Sequence, residues 1–265
     1  MAKAIISTTY NNTYLYFLPI VTYCWNKLGV DVICFMPYKN TSGDRFMLVS
    51  DTLVKQGMKG VIYNFDAPEH KEATYAQCLR NYAACLDLPK DEVLITSDVD
   101  MAVFTLPPYN GGFTILGADL VPQGQYPQCY VSATVEDWRD TFHLNGITYQ
   151  QAIDELLGED ECQDYRGCRW SVDQEQLYEN IQNYASMISL CNRSNGQNQF
   201  AQNRVDRTDT NWRSYVNDTL IDGHLWRDGF TDENHANIME LMRMKFPDED
   251  FTWLDTYRNE YLKLL

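Results

Sequence analysis

The sequence predicts an α/β protein with a mainly parallel, twisted sheet flanked by helices and a helical C-terminal elaboration. Short apolar runs alternate with helical patterns between residues 4 and 104, the order expected of a parallel sheet with crossover helices. The apolar runs are continuous, as in strands that are buried on both faces. Two more helical patterns close the chain, at 233–245 and 253–264.

The first half contains four strand patterns and three helix patterns. The strands are predicted at 4–8, 31–36, 60–63 and 93–96. The helices are predicted at 14–28, 44–56 and 71–86, the last as a strong amphipathic helix. Pro19 falls in the first turns of its helix, where it does least damage, and Gly29 sits where a helix C-cap is expected.

The second half predicts fewer strands and more helices. Strand patterns occur at 113–120 and 128–133, and helix patterns at 134–144, 148–157 and 171–185, with Thr134 as an N-cap. Residues 192–211 form a polar, turn-rich segment with Arg204 and Arg207 as candidate phosphate contacts.

Charge and composition limit the partners. The chain carries 21 Lys and Arg against 37 Asp and Glu, a net charge of −16, which repels nucleic acids and anionic membranes but suits a divalent cation. No apolar run approaches the roughly 18 residues of a membrane span, so we expect none. The start shows no signal-peptide pattern, and the eight cysteines include no CxxC pair. A cytoplasmic protein is the simplest interpretation.

Two carboxylates end the fourth predicted strand, in the segment VLITSDVDMAVF at 93–104. Asp98 and Asp100 lie at the carboxyl end of that strand, where open α/β sheets bind ligands. Two carboxylates held together raise each other's pKa unless a cation is present, and Mg²⁺ or Mn²⁺ with oxygen ligands resolves this. The alternative is a solvated turn.

The run YAQCLRNYAACLDLPKDEVLITSDVDMAVF, residues 75–104, resembles the core of the GT-A fold, DxD-containing, nucleotide-sugar-dependent glycosyltransferases. The resemblance implies a GT-A-like (Rossmann-like) sheet. It implies one domain over 1–265, with a nucleotide-sugar-binding half at 1–110 and an acceptor-side half with the helical C-terminal part at 111–265. It also implies that a Mn²⁺ (or Mg²⁺) cofactor bridges the diphosphate of the donor.

The resemblance further assigns site residues. The expected nucleotide-sugar contacts are Thr8, Thr9, Tyr10, Arg80, Asp98 and Val99. The expected metal ligands are Asp98, Asp100 and, from the late segment DGHLW at 222–226, His224. This late segment lacks the Lys-Pro-Trp ending of some family members.

The segment WSVDQ at 170–174 resembles the acceptor-side "DQ" segment of the family. It implies Asp173 as the general base of an inverting enzyme, or Gln174 flanking the sugar in a retaining one. A carboxylate near a helix N-terminus such as Asp173 is equally an ordinary cap.

The function predicted is transfer of a hexosyl or pentosyl group from a nucleoside-diphosphate sugar, with a UDP-sugar favoured, to a hydroxyl of a glycan or other acceptor. One alternative is a nucleotidyltransferase acting on sugar phosphates, which the segment STTYNN at 7–12 disfavours because it lacks a Gly- and Lys/Arg-rich loop. Another is a non-catalytic carbohydrate-binding protein on the same fold. A phosphohydrolase with an aspartate nucleophile is disfavoured because its DxD normally follows the first strand.

Overall fold

A computed structural model describes residues 2–37, 43–65, 67, 72–152, 171–193, 204–214, 216 and 220–265. Within these residues one sheet contains β1 (Ala2–Ser7), β2 (Asp31–Pro37), β3 (Gly60–Phe65), β4 (Val93–Thr96), β6 (Phe113–Leu116), β7 (Val131–Thr134) and β8 (Ile188–Cys191). A smaller sheet contains β5 (Met101–Val103), β9 (Arg204–Val205) and β10 (Asp222–His224).

The large sheet has the strand order β3-β2-β1-β4-β7-β6-β8. β1 pairs in parallel with both β2 and β4, and β2 pairs in parallel with β3. β7 runs antiparallel to β4 and to β6, while β8 is parallel to β6. The four strands predicted in the first half therefore form the predicted parallel sheet, and the antiparallel β7 comes from the second half.

Seven α-helices are described: α1 (Asn12–Lys27), α2 (Asp44–Lys55), α3 (Glu72–Cys78), α4 (Val135–Thr141), α5 (Val172–Tyr184), α6 (Asp232–Lys245) and α7 (Thr252–Leu262). α1 starts at Asn11, whose side chain accepts a hydrogen bond from the Thr13 N–H, and it continues through Pro19. Gly29 follows it with a φ of +75°, the left-handed conformation that a C-terminal glycine supplies.

The predicted amphipathic helix at 71–86 is wrong in two respects. α3 ends at Cys78, and a 3₁₀ helix, Leu79–Cys85, follows it. The polar face predicted for residues 71–86 is also missing, because the polar side chains of Arg80 and Asn81 are buried beside the apolar ones. The reason is that both side chains find polar partners inside the protein, so periodicity alone misplaced them.

The other differences lie at element ends. The strand predicted at 113–120 stops at Leu116 because Gly117 turns with a φ of +81°, and β7 starts at Val131 after Tyr130, whose φ is +66°. Thr134 caps α4 as predicted, in a capping box with Asp137. The helix predicted at 148–157 lies partly, and residues 194–203 of the polar segment lie wholly, outside the described residues.

Helices cover both faces of the large sheet. One buried cluster joins the sheet to α1, α2, α6 and α7 around Trp25, and the other joins it to the 3₁₀ helix, α4 and α5 around Trp138. No helix of the described residues combines the length and apolar character needed to cross a bilayer. The carboxyl ends of β1 and β4 lie side by side between these layers.

Candidate active site

The loop after β1 lies at the carboxyl edge of the sheet. Thr8 is buried and donates its backbone N–H to the Phe35 carbonyl of β2, at 3.0 Å, so the loop starts in a fixed position. The ring of Tyr10 packs against the core and lies 4.4 Å from the guanidinium carbon of Arg45, in α2. The predicted base-binding residues Thr8, Thr9 and Tyr10 therefore stand beside the end of β4.

The two aspartates sit in a tight turn between β4 and β5. The Ser97 N–H reaches the Ile5 carbonyl of β1 at 2.9 Å, and the Met101 N–H closes the turn on the Asp98 carbonyl at 3.2 Å. The Val99 side chain is buried in the core. Only the backbone of Val99 is therefore left to make the predicted contact with the nucleotide sugar. Core packing on both sides of the turn excludes a freely solvated loop.

Asp98 belongs to a cluster centred on a buried arginine. The Arg80 side chain is only 6% exposed; it donates to the carboxylate of Asp98 and forms a 3.4 Å ion pair with Asp173. It also donates to the Ser97 carbonyl at 3.1 Å. Burial lowers the pKa of Arg80, but the charges of Asp98 and Asp173 outweigh this and raise it. Arg80 is therefore held by acceptors in the turn after β4 and on α5.

Asp173 is buried behind Arg80, in the first turn of α5. Burial raises its pKa to about 6, against the opposing charge of Arg80. Its Oδ2 faces Arg80, whereas its Oδ1 is buried and accepts no hydrogen bond of good geometry from the described residues. The backbone N–H groups of Asp173 and Gln174 lower the pKa of this carboxylate in part, and Oδ1 keeps capacity for a further donor.

Two buried amides hold the backbone of Asp173. Gln128 donates to the Asp173 carbonyl at 3.1 Å and to the Asn81 Oδ1 at 2.9 Å, and Asn81 donates to the same carbonyl at 3.3 Å. The Oε1 atoms of Gln128 and Gln174 are likewise buried without a donor among the described residues. Unpaired acceptors thus gather near the start of α5.

Asp100 belongs to a different cluster, built by the small sheet. β10 pairs antiparallel with β5, which places His224 opposite Met101, and the Leu225 N–H bonds to the Asp100 carbonyl at 2.8 Å. As a result the His224 Nε2 lies 3.2 Å from the Asp100 Oδ2. This pairing brings together two residues that are 124 positions apart in the chain.

A second cation also contacts Asp100. The Arg207 Nη1 lies 3.1 Å from the Asp100 Oδ2, and the Asp206 Oδ2 lies 3.4 Å from the His224 Nδ1. Burial raises the pKa of Asp100, but the hydrogen bond and charge of His224, together with Arg207, lower it below its usual value. Asp100 is therefore a buried anion held by two partly exposed cationic or hydrogen-bonding side chains.

Two further ion pairs support β10. Asp222 is fully buried and pairs with Arg193 at 2.6 Å and with Arg204 at 3.6 Å. Asp222 is two residues before His224, so these ion pairs anchor the strand that carries the histidine.

The predicted site residues are thus divided between two clusters. Asp98 contacts Arg80, whereas Asp100 contacts His224, and Asp173 and Gln174 lie behind Arg80 at the start of α5. In the described part of the chain, no three His, Cys, Asp or Glu side chains are arranged together as a metal cluster. Metal binding by these residues therefore stays a prediction.

Sequence reasoning missed several residues of the site. Asn81 directly follows Arg80, and Asp206 directly precedes Arg207, so adjacency to a candidate was the available signal. Gln128 and Arg45 had no local signal, because their partners are distant in the chain.

Solved structures share the arrangement of these elements. A complex of the galactosyltransferase LgtC with donor and acceptor sugar analogs matches with a TM-score of 0.50 and 10% identity, over 97% of this chain and 100% of that one. An active-site mutant of LgtC gives 0.51 and 11%, over 92% and 100%. The glycosyltransferase GlyE of Streptococcus pneumoniae TIGR4 gives 0.51 and 10%, over 99% of this chain and 64% of that one.

At these identities the likeness concerns the fold alone, and it confirms the predicted GT-A-like α/β fold. No protein-family model and no curated protein matches the chain.

Proposed function

We propose that this protein is a metal-dependent glycosyltransferase that moves a sugar from a nucleoside-diphosphate sugar, with a UDP-sugar favoured, to a hydroxyl of a glycan or another acceptor. The pairing of Asp100 with His224 at the carboxyl end of β4 carries the proposal. It is supported by the fold, since the similar solved structures are those of glycosyltransferases.

The chemistry of the Asp100–His224 pair fits a divalent cation. A carboxylate oxygen and an imidazole nitrogen face each other at 3.2 Å, a donor set that suits Mn²⁺ better than Mg²⁺. The Arg207 guanidinium already brings positive charge to the same oxygen. In the proposal Asp100 and His224 are ligands, and Asp98 is the third. When bound, the metal supplies Lewis-acid neutralisation of the leaving diphosphate.

The loop after β1 would hold the nucleoside. Tyr10 contributes a partly buried aromatic ring and Thr9 a partly buried polar side chain next to the strand that ends in the aspartates, and the buried Thr8 fixes the start of the loop. Arg207 is partly exposed on Asp100 and would bind a diphosphate oxygen, since a guanidinium suits phosphate geometry. Arg80 would act on the donor through Asp98, which it orients.

Asp173 would hold a substrate hydroxyl at its unpaired Oδ1. In an inverting transfer this is the acceptor hydroxyl, whose proton passes to Asp173 while its oxygen bonds to the sugar carbon and the diphosphate leaves. In a retaining transfer Gln174 flanks the sugar instead. With a pKa of about 6, Asp173 is mostly ionised at neutral pH, as acceptance of a proton requires.

The experiment is a donor panel with and without Mn²⁺, read as release of nucleoside diphosphate with a mixture of glycan acceptors. We expect turnover of at least one UDP-sugar, stimulated by Mn²⁺ and reduced roughly 100-fold in Asp173→Asn. The matched control is Asp232→Asn, which alters a side chain that is 98% exposed in the first turn of α6. The anomeric proton of the product then reports inversion or retention.

Other outcomes separate the alternatives. Formation of a nucleotide sugar and pyrophosphate from a sugar phosphate and a nucleoside triphosphate would identify a nucleotidyltransferase. Glycan binding that ignores Mn²⁺, with no turnover of any donor, would identify a carbohydrate-binding protein. Absence of binding to every donor, with or without metal, contradicts the proposal.

A further inference from the structure

Arg45 is a charged residue at the site edge that the proposed reaction does not use. It lies in the first turn of α2, and its guanidinium carbon is 4.4 Å from the centre of the Tyr10 ring. A guanidinium over an aromatic face at this distance is a cation–π contact. Burial raises the pKa of the Tyr261 phenol in α7, and the charge of Arg45 and a hydrogen bond with Arg45 oppose that rise. The side chain is therefore positioned by two aromatic rings.

One nitrogen of this arginine is left without an acceptor. The Arg45 Nη1 is buried, and no group in the described part of the chain accepts a hydrogen bond from it. Burying an unpaired charged donor costs more free energy than burying a neutral one, so the structure favours a ligand acceptor at this point. Arginine carries only donors, so that acceptor is an oxygen or an unprotonated ring nitrogen.

The order of the strands indicates which part of a nucleotide-sugar donor would lie near Arg45. β2, β1 and β4 are adjacent in that order, and all three run parallel. α2 follows β2, Tyr10 follows β1, and the aspartates follow β4. Because neighbouring strands are about 4.8 Å apart, the carboxyl ends of β2 and β4 are separated by roughly 10 Å along the sheet edge. Tyr10, which contacts Arg45, follows β1 between them. A diphosphate at the aspartates therefore puts the base near Tyr10 and Arg45.

We propose that Arg45 selects the base of the donor by donating its Nη1–H to a carbonyl oxygen at pyrimidine position 4 or purine position 6. This inference rests on the proposed function, since it assumes a nucleoside diphosphate. Uracil and guanine carry a carbonyl at that position. Cytosine and adenine carry an amino group at that position. An amino group donates hydrogen bonds, so it cannot accept one from Arg45.

The test is titration calorimetry of UDP, GDP, CDP and ADP in the presence of Mn²⁺. We expect the wild type to bind UDP and GDP at least about 10-fold more tightly than CDP and ADP, as one charged hydrogen bond allows. In Arg45→Met this preference disappears, because the affinity for UDP and GDP falls about 10-fold while that for CDP and ADP changes little.

Two further variants make the result specific. Arg45→Lys keeps the charge but loses the planar donor fork, so we expect it to lose most of the base preference while retaining its melting temperature. Arg213→Met is the matched control. Arg213 lies 4.5 Å over the Trp212 ring and pairs with Glu240 at the surface, and its loss should leave all four affinities unchanged.

Several results would overturn the inference. Equal weakening of all four nucleotides in Arg45→Met, accompanied by weaker binding of inorganic pyrophosphate, would make Arg45 a phosphate contact. An unchanged UDP preference would remove it from the base site. If the wild type binds none of the four, the proposed function fails and the inference fails with it.

Discussion

Asp98 and Asp100 are separated by one residue, yet their surroundings are opposite. Asp98 has a side chain that is 41% exposed, and its cation, Arg80, is 6% exposed. Asp100 is 8% exposed, and its partner Arg207 is 21% exposed. Around Asp98 the cation, Arg80, is buried and the carboxylate is partly exposed. Around Asp100 the carboxylate is buried and the cation, Arg207, is partly exposed.

This difference assigns different tasks to the two clusters. The Arg80 cluster joins the turn after β4 to α5 through Asp98 and Asp173, so the buried Arg80 fixes the positions of both carboxylates. The Asp100 cluster holds a buried carboxylate between two partly exposed side chains, Arg207 and His224, and this is where we propose that a divalent cation binds. Four experiments test this difference between the Arg80 cluster and the Asp100 cluster.

Arg80→Met should destabilise the fold most. Removing the cation leaves Asp98 and the buried Asp173 without their common partner, and breaking a buried pair costs about 3–5 kcal/mol. Arg207→Met, on the exposed side of Asp100, should cost about 1 kcal/mol or less. The measurement is the free energy of unfolding from urea denaturation at pH 7. Equal losses in the two variants would contradict the division.

Asp100→Asn should impair donor turnover more than Asp98→Asn. Loss of the charge that faces His224 removes the ligand that we propose for the metal, and we expect a decrease of roughly 10²–10³-fold in kcat/KM. Asp98 is partly neutralised by Arg80, so its variant should lose about 10-fold. Steady-state kinetics with saturating Mn²⁺ gives the comparison. A reversed order of the two variants would be incompatible with the account.

Asn81→Leu should loosen the support of Asp173 without touching any charge. It removes the acceptor of Gln128 and one donor to the Asp173 carbonyl, which should lower stability by about 1–3 kcal/mol. The exposed Asn145→Leu serves as the control and should lie within about 0.5 kcal/mol of the wild type. Urea denaturation of both variants measures the effect, and a neutral Asn81→Leu would show that these amides do not hold α5.

We expect the ionisation of the buried Asp173 to make the protein less stable as the pH rises. Its pKa is raised from 3.8 to about 6 on folding, so the protonated form favours the folded state. This contribution is complete below about pH 4 and is lost as the pH rises through about 6. Relative to Asp173→Asn, which cannot ionise, the wild type should lose on the order of 1–3 kcal/mol across that window. A flat difference between pH 4 and pH 7 in urea denaturation would contradict the burial of this charge.

The sequence predicted the parallel half of the sheet well because its strands are continuous apolar runs, such as Val93–Thr96, separated by helices. It failed where tertiary contacts override the local pattern. Arg80 looks like a surface residue of an amphipathic helix, but its partners on the turn and α5 bury it. The antiparallel β7 has no signal of its direction in four residues, Val131–Thr134.

The sequence indicated candidate residues for the site, but not how these residues are arranged in space. The aspartates and His224 are visible as motifs, yet their division depends on pairing of β5 with β10, two strands of three residues each. No local pattern indicates that Asp98 turns to Arg80 while Asp100 turns to His224. Arg45 could not be found at all without the fold, because α2 and the loop after β1 meet only in space.

Asp100 and His224 are proposed to hold a divalent cation together with a nucleoside diphosphate. Electron paramagnetic resonance of Mn²⁺ titrated into the protein with UDP counts the bound ion directly. We expect one bound Mn²⁺ per chain in the wild type, none in Asp100→Ala, and weakened binding in His224→Ala and Asp98→Ala. Unchanged Mn²⁺ binding in Asp100→Ala, with UDP present, would contradict it.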